Sequence, residues 1–435
     1  MGKKYILVLF FLVFQQVMAQ EKILNLYLNS NSEVVSFPIC YIDSICVTTA
    51  STLDNTIVFS GLPIINLKVE EKIENPVPGC LTVEKEINAI GGGILWQAFG
   101  NMTIQGHGNT TWAASEKKPY KVKFSKKQPL LGLPKQKSWI FFSNPLDSSM
   151  LRNEVGFILS RLSNLEWTPH SAYADVYLND NYRGTYQISE KIGISNTRLN
   201  LGDDGFLLET VPSNRVSSKE VYVSTKCLNL QVKEPELSPE NVEENEDYCF
   251  IKDYVLRCEE AIYSVTDCAD DGTPLTELID IDSYVDWFLI NEITKNVDAR
   301  MFASCYMHMK RNGKLTMGPV WDFDLSLGNC LPDHPDELRH PENLYIATAA
   351  WISRLLSKPF FMDKVKQRYA FFYANKQKII DSIRENAKLI ERSSTKNAER
   401  WNFLRSPKDY EEEMIEFLSK RMDWLYQEWF GNANI

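Results

Sequence analysis

Asp298, Asp322 and Asp324 fall in one stretch, 295–328, that reads as a helix end running into a β-hairpin. Asn312-Gly313 is a two-residue turn signal, flanked by runs rich in Tyr, Met, Phe, Val and Trp. If Arg311 pairs with Lys314, antiparallel register sets Asp322 opposite about residue 303 and Asp324 opposite about residue 301, near Asp298. Carboxylates converging at a strand end suit two tasks: a general base beside a reacting group, and oxygen ligands for a hard cation such as Mg²⁺. The plainer alternative makes Asp298 a turn cap and Asp322/Asp324 a solvated strand end.

The opposite charge comes from Lys121 and Lys123, which alternate with Tyr120, Val122 and Phe124, and from Arg152 in Leu151-Arg152-Asn153. That alternation predicts a half-buried strand with a basic face. Phosphoryl transfer needs both halves, because its catalysis is largely positioning plus charge neutralisation. The chain holds no Walker A sequence and neither the H-R-D nor the D-F-G triplet of ordinary kinases. Gly91-Gly92-Gly93 reads as a flexible turn rather than a phosphate loop.

Positioning these groups falls to strands at 64–69, 101–105 and 139–142, a helix over 148–162 capped by Asp147 or Ser148, and a hairpin of 172–178 and 182–190 around Asn179-Asp180-Asn181. The proline-containing acidic run 234–247 reads as a solvated loop. A helix over 283–296, with Ser283-x-x-Asp286 as a capping box and Ile281, Tyr284, Val285 and Phe288 on one stripe, delivers Asp298 to the hairpin. Beyond Gly328 the pattern is helical, and Ser406-Pro407-x-Asp409 opens the last helix. Strands and helices in blocks indicate α+β, with a small β-rich lead-in of about four short strands over 20–61.

The chain has 435 residues and a net charge of -10, which argues against nucleic acid as a partner. Lys3 and Lys4, the apolar run 5–17 and Val17-Met18-Ala19 read as a secretory signal removed near Ala19. The run is short for a membrane span, and nothing later is long and apolar enough for one. The expected product is exported, either secreted, periplasmic or at the cell surface, without a membrane span. All nine cysteines lie in the mature part, with Cys258/Cys268 and Cys227/Cys249 as local disulfide candidates; zinc-ligand spacing is absent.

Residues 62–432 resemble the bacterial CotH kinase family, secreted proteins distantly related in fold to eukaryotic-type protein kinases. The resemblance rests on ordered motifs: Gly106-His107-Gly108-Asn109-Thr110-Thr111-Trp112, the 117–124 run, Leu151-Arg152-Asn153, Tyr182-Arg183-Gly184-Thr185-Tyr186 running to Glu190, Gly205-Phe206-Leu207-Leu208-Glu209, Lys295-Asn296-Val297-Asp298 and Trp321-Asp322-Phe323-Asp324. It implies an atypical kinase-like fold and transfer of the ATP γ-phosphoryl group to Ser or Thr of a protein substrate with Mg²⁺ or Mn²⁺. Asp298 would be the catalytic Asp, Asp322 a metal ligand, and Asp324 a second metal or structural carboxylate. Lys121, Lys123 or Arg152 would contact the ATP phosphates, with Glu190 orienting that cation. Two departures weaken the case for a fully active kinase without excluding it: the family usually carries a basic residue at Gln105 and an arginine at His107, and Ala303 and Ser304 stand near where a metal-holding Asn is frequent.

A kinase-like surface or matrix protein with little turnover is the competing reading, favoured by an exported location poor in ATP. A carboxylate-based glycoside hydrolase would use two of the same acids.

Overall fold

A computed structural model describes residues 23–27, 34–38, 60–73, 76–87, 93–108 and 110–431. The expected signal segment, the run 39–59 of the lead-in and Gly91-Gly92 lie outside them. Of the lead-in, β1 (Ile23–Tyr27) and β2 (Val34–Pro38) form an antiparallel pair.

Seven strands close into a barrel: β3 (Ile64–Val69), β4 (Val77–Ile87), β5 (Gly93–Gly106), β6 (Tyr120–Gln128), β7 (Gln136–Phe142), β8 (Ser171–Leu178) and β9 (Asn181–Glu190). Their order is β3-β4-β5-β6-β7-β9-β8, and a parallel β3–β8 pairing completes the ring. Period-two patterning fills it, since Tyr120, Val122 and Phe124 of β6 point inward with Ile65, Leu67 and Trp139 while Lys123 stays exposed. The short α1 (Thr110–Ala114) follows β5, and α2 (Arg152–Leu162) follows β7.

A second sheet has the order β11-β12-β10-β13-β14, from β10 (Gly205–Thr210), β11 (Tyr222–Ser224), β12 (Asn229–Glu234), β13 (Tyr306–Lys310) and β14 (Thr316–Met317). Of the helices α3 (Glu246–Tyr263), α4 (Leu275–Leu278), α5 (Ile281–Thr294), α6 (Ala350–Leu356), α7 (Pro359–Ala374), α8 (Lys376–Trp401) and α9 (Pro407–Phe430), α3 and α5 pack against this sheet, α4, α6, α7 and α9 pack on other helices, and α8 lies on β9 of the barrel. Every residue of α5 except Asp282 is buried, which marks it as the central helix of this half. The architecture is α+β. The closed barrel was not foreseen, because barrel closure depends on pairing between strands far apart in sequence.

Several local expectations shift. The helix after β7 begins at Arg152, because Asp147 accepts from the backbone N–H of Ser149 and Arg152 and holds the intervening turn outside the helix. At α5 the cap is Asp280, whose side chain accepts from Ser283 N, so Ser283 lies inside the helix. The Ser406/Asp409 capping box forms as expected. Neither suggested disulfide exists: Cys227, Cys249, Cys258 and Cys268 are all free, with Cys258 buried against Leu278 and Cys227 beside the Tyr263 hydroxyl.

The β13–β14 hairpin differs most. The pairs are Met307↔Met317 and His308↔Thr316, one residue away from the Arg311–Lys314 register. The turn closes through Gly313 N to Lys310 O at 2.9 Å, and neither Asn312 nor Gly313 takes the positive φ that an Asn-Gly mirror turn requires. Leu315 is captured instead by a parallel bridge to Ile279, exchanging backbone bonds with Leu278 and Asp280. Pairing stops at Met317, since Pro319 has no N–H to offer.

Candidate active site

A cleft of about 500 Å³ opens between the barrel and the second sheet, and Asp298, Asp322 and Asp324 all line it. Convergence therefore occurs without a continuous hairpin, through the chain after β14. Asp322 adopts a left-handed backbone (φ 66°), uncommon for a non-glycine residue, and its carboxylate accepts the Ser304 hydroxyl at 3.0 Å. Burial, then the Asp298 charge, pushes the Asp322 carboxyl up to about 6; burial with Asp322 and Asp298 nearby holds Asp324 well above the usual carboxylate range. Burial also raises Asp298, offset by the charges of His334 and Arg215. Asp298 raises both other acids and Asp322 raises Asp324, so the three partly or fully buried carboxylates describe a site that favours a cation among them.

The 295–298 motif explains the spacing. Lys295 ends α5 in a left-handed conformation, and its ammonium donates to the carbonyls of Glu337, His340 and Glu342. Asn296 donates to Asp322 O at 3.1 Å while its Oδ1 accepts from Asp298 N at 3.3 Å, so one amide joins both acidic segments. From the other side Asn153 accepts from Phe323 N at 2.8 Å, and the Phe323 ring lies against Gly156 of α2, where an added Cβ would overlap it. Gly156→Ala is therefore expected to displace Phe323, to destabilise the fold by about 1–3 kcal/mol as overpacking does, and to weaken metal-dependent ligand binding through Asp322. Urea titration and calorimetry on the same variant check both effects.

The predicted cations distribute differently. Lys121 sits on β6 between Gln105 and Ile140 in register; burial and its neighbours Lys123 and Lys233 lower its pKa. Lys123 is exposed and does not line the cleft. Arg152 is buried away from the cleft lining, its guanidinium committed to Asp147 and, through Nε, to the Ser326 carbonyl at 2.9 Å. Its placement makes it a brace for the chain just after Asp324. Glu190 is fully buried and bonds His170 Nδ1 at 2.7 Å and Gln136 Nε2 at 3.1 Å, so no strand lysine is its partner.

Sequence reasoning missed Lys191 and Lys233, which line the cleft. Lys233 pairs with Glu209 at 3.0 Å. Desolvation, then Lys121 and Lys233, depress Lys191, and the same three lysines add to the burial that lowers His107 to about 4. His107 is thus neutral near pH 7, and positive charge near this loop comes from three lysines around it. The signal for Lys233 was the alternation in the β12 run Asn229–Glu234, which pairs with the β10 strand that carries Gly205–Glu209. Two further polar groups face the cleft without partners, the buried Ser143 Oγ and His334 Nδ1. Phe142 and Trp321 pack there with ring centroids 4.9 Å apart.

A family model described as CotH kinase protein matches residues 104–425. The chain belongs to the CotH kinase family. No curated protein matches it. The matched span of this CotH kinase family member includes every acid and lysine of the cleft described above, together with Arg152 and Glu190. Among the described residues no helix is long and apolar enough to cross a membrane.

Proposed function

We propose that this chain is an exported protein Ser/Thr kinase-like enzyme that moves the γ-phosphoryl group of ATP to a protein hydroxyl with a divalent cation. The observation that carries this reading is a single cleft with Asp298, Asp322 and Asp324 among its lining residues and with Lys191, Lys233 and neighbouring Lys121 supplying the opposite charge. The first nineteen residues are read as a removable export signal and 62–432 as the catalytic unit.

The donor set fits a metal–nucleotide better than a bare metal. Among the described residues no group of three or more His, Cys, Asp or Glu is arranged to hold a metal ion by itself. Mg²⁺ is ordinarily held by one or two carboxylates with water and substrate phosphates completing its shell, which is what Asp322 and Asp324 would offer. The cation would supply neutralisation of the phosphate charge. Lys121, Lys191 and Lys233 would hold the phosphates, their like charges being relieved by an anion between them. Asp298, raised by burial, would orient the acceptor hydroxyl and take its proton. Trp321 and Phe142 offer an apolar wall for a base, with Ser143 Oγ as an unused hydrogen-bonding group beside it.

Isothermal titration of the mature protein with ATP, with and without Mg²⁺ or Mn²⁺, tests the reading. Expected is tight binding only with a divalent cation, and phosphate transfer to a Ser-containing protein. Absence of both under every divalent metal would leave the surface-binding alternative, and bound nucleotide excludes the hydrolase.

A further inference from the structure

We propose that the acceptor engaged beside Asp298 is a protein segment carrying a carboxylate side chain and an apolar side chain next to its phosphate-accepting hydroxyl. The inference rests on the kinase reading for what happens to that hydroxyl, while the docking surface stands on its own residues.

Positive charge in the cleft falls into two separate poles. Lys121, Lys191 and Lys233 act on one another and on His107, whereas Arg215 and His334 act on Asp298. Arg215 closes the short turn Ser213–Arg215 that follows β10, and it lines the cleft. Among the described residues no hydrogen bond or ion pair engages its guanidinium, although the chain is acidic overall at -10 and most of its other described arginines are paired. His334 Nδ1 is buried at the same wall without a partner. Arg300, by contrast, is stacked on Tyr345 at 5.1 Å.

Apolar surface accompanies this pole. Phe302 is 57% exposed and lines the cleft, and Val216, next to Arg215 in the chain, is 46% exposed. The other exposed large hydrophobics among the described residues, such as Leu389 and Leu404, do not line the cleft, and single scattered ones need no explanation. Here an exposed ring and an unpaired guanidinium flank the acid that would meet the hydroxyl. A neutral or basic acceptor would leave the exposed Arg215 guanidinium with only water and the charge of Asp298 to answer it, and the phosphate pole has its own lysines. Charge complementarity therefore selects an acidic segment.

The test uses three fluorescent Ser-centred peptides that share one Leu and differ only in flanking Glu, Gln or Lys. Anisotropy with the mature protein, ADP and Mg²⁺ reads docking without turnover, and ATP with the same peptides reads transfer. The Glu peptide should bind roughly fivefold tighter than the Gln peptide, the scale of one partly exposed charge pair, and high salt should erase the difference. Arg215→Gln should level the Glu and Gln peptides, Arg215→Glu should favour the Lys peptide, and Phe302→Ser should weaken all three. Equal binding of all peptides, no binding of any, or an order unchanged in Arg215→Glu would overturn the inference. Arg215-dependent preference without phosphate transfer would sink the kinase reading and leave this surface as a docking site; transfer without preference would do the reverse.

Discussion

Asp298→Asn is expected to lower phosphate transfer by about 10² to 10⁴, the range associated with a general base, while nucleotide affinity stays close to wild type. Asp322→Asn should fail earlier, by losing the metal-dependent part of nucleotide binding. The difference follows from where the two acids sit. Asp298 faces Arg215 and His334 beyond the end of α5, whereas Asp322 is half-buried beside the buried Asp324 and accepts the Ser304 hydroxyl. Asparagine preserves volume in both positions, and the Asn296 amide still reaches the backbone of both segments because it bonds Asp322 O and Asp298 N rather than either carboxylate. Calorimetric titration of ATP with and without divalent metal, run beside a transfer assay, separates the outcomes. Equal loss of nucleotide binding in both variants would refute the division of labour.

Arg421→Met should cost about 3–5 kcal/mol of stability, as breaking a fully buried ion pair by removing one partner does. Arg421 and Glu292 are both completely buried and ion-paired, and Arg421 also donates to Glu292 O at 3.1 Å, Pro341 O at 2.7 Å and Asn343 O at 2.8 Å. Glu292 retains only the N–H groups of Tyr345 and Ala347, each at 2.8 Å, once the guanidinium is gone. Burial already raises the Glu292 carboxyl, against the Arg421 charge that lowers it. A carboxyl whose folded pKa lies above its unfolded one contributes stability below the unfolded value and loses it as pH rises through the folded value. Removing Arg421 raises the folded pKa further, so the deficit should be largest near neutral pH and shrink towards pH 4. Urea unfolding of wild type and variant across that range measures it. A pH-independent deficit would point to lost packing alone.

The site lies downstream of this pair, because α5 carries Glu292 just before Lys295, Asn296 and Asp298. Arg421→Met should therefore loosen the cleft as well as the core.

The sequence by itself determined a good deal about this protein. Period-two patterning identified β3 and β6, the apolar stripe identified α5, and Ser406/Asp409 marked the start of α9, since these depend on neighbours within one or two turns of chain. The three acids were also legible as a set, because they lie close along the chain between the end of α5 and the segment after β14, although the hairpin register expected to join them did not form. Tertiary structure alone decided the rest. Barrel closure needs β3 to pair with β8, and Leu315 abandoned the Asn-Gly register for Ile279; both choices are made by partners far away in sequence. Arg152 and Lys191 show the same cause at the level of chemistry. A basic residue before an asparagine looked like a phosphate contact, yet Asp147, five residues back, claims it and turns it into a brace. Lys191, unremarkable in sequence, gains significance because it lines the cleft just past β9, close enough to Lys121 of β6 and Lys233 of β12 for their charges to lower its pKa. Charge becomes chemistry only when packing decides which ions find a partner and which are left for a ligand.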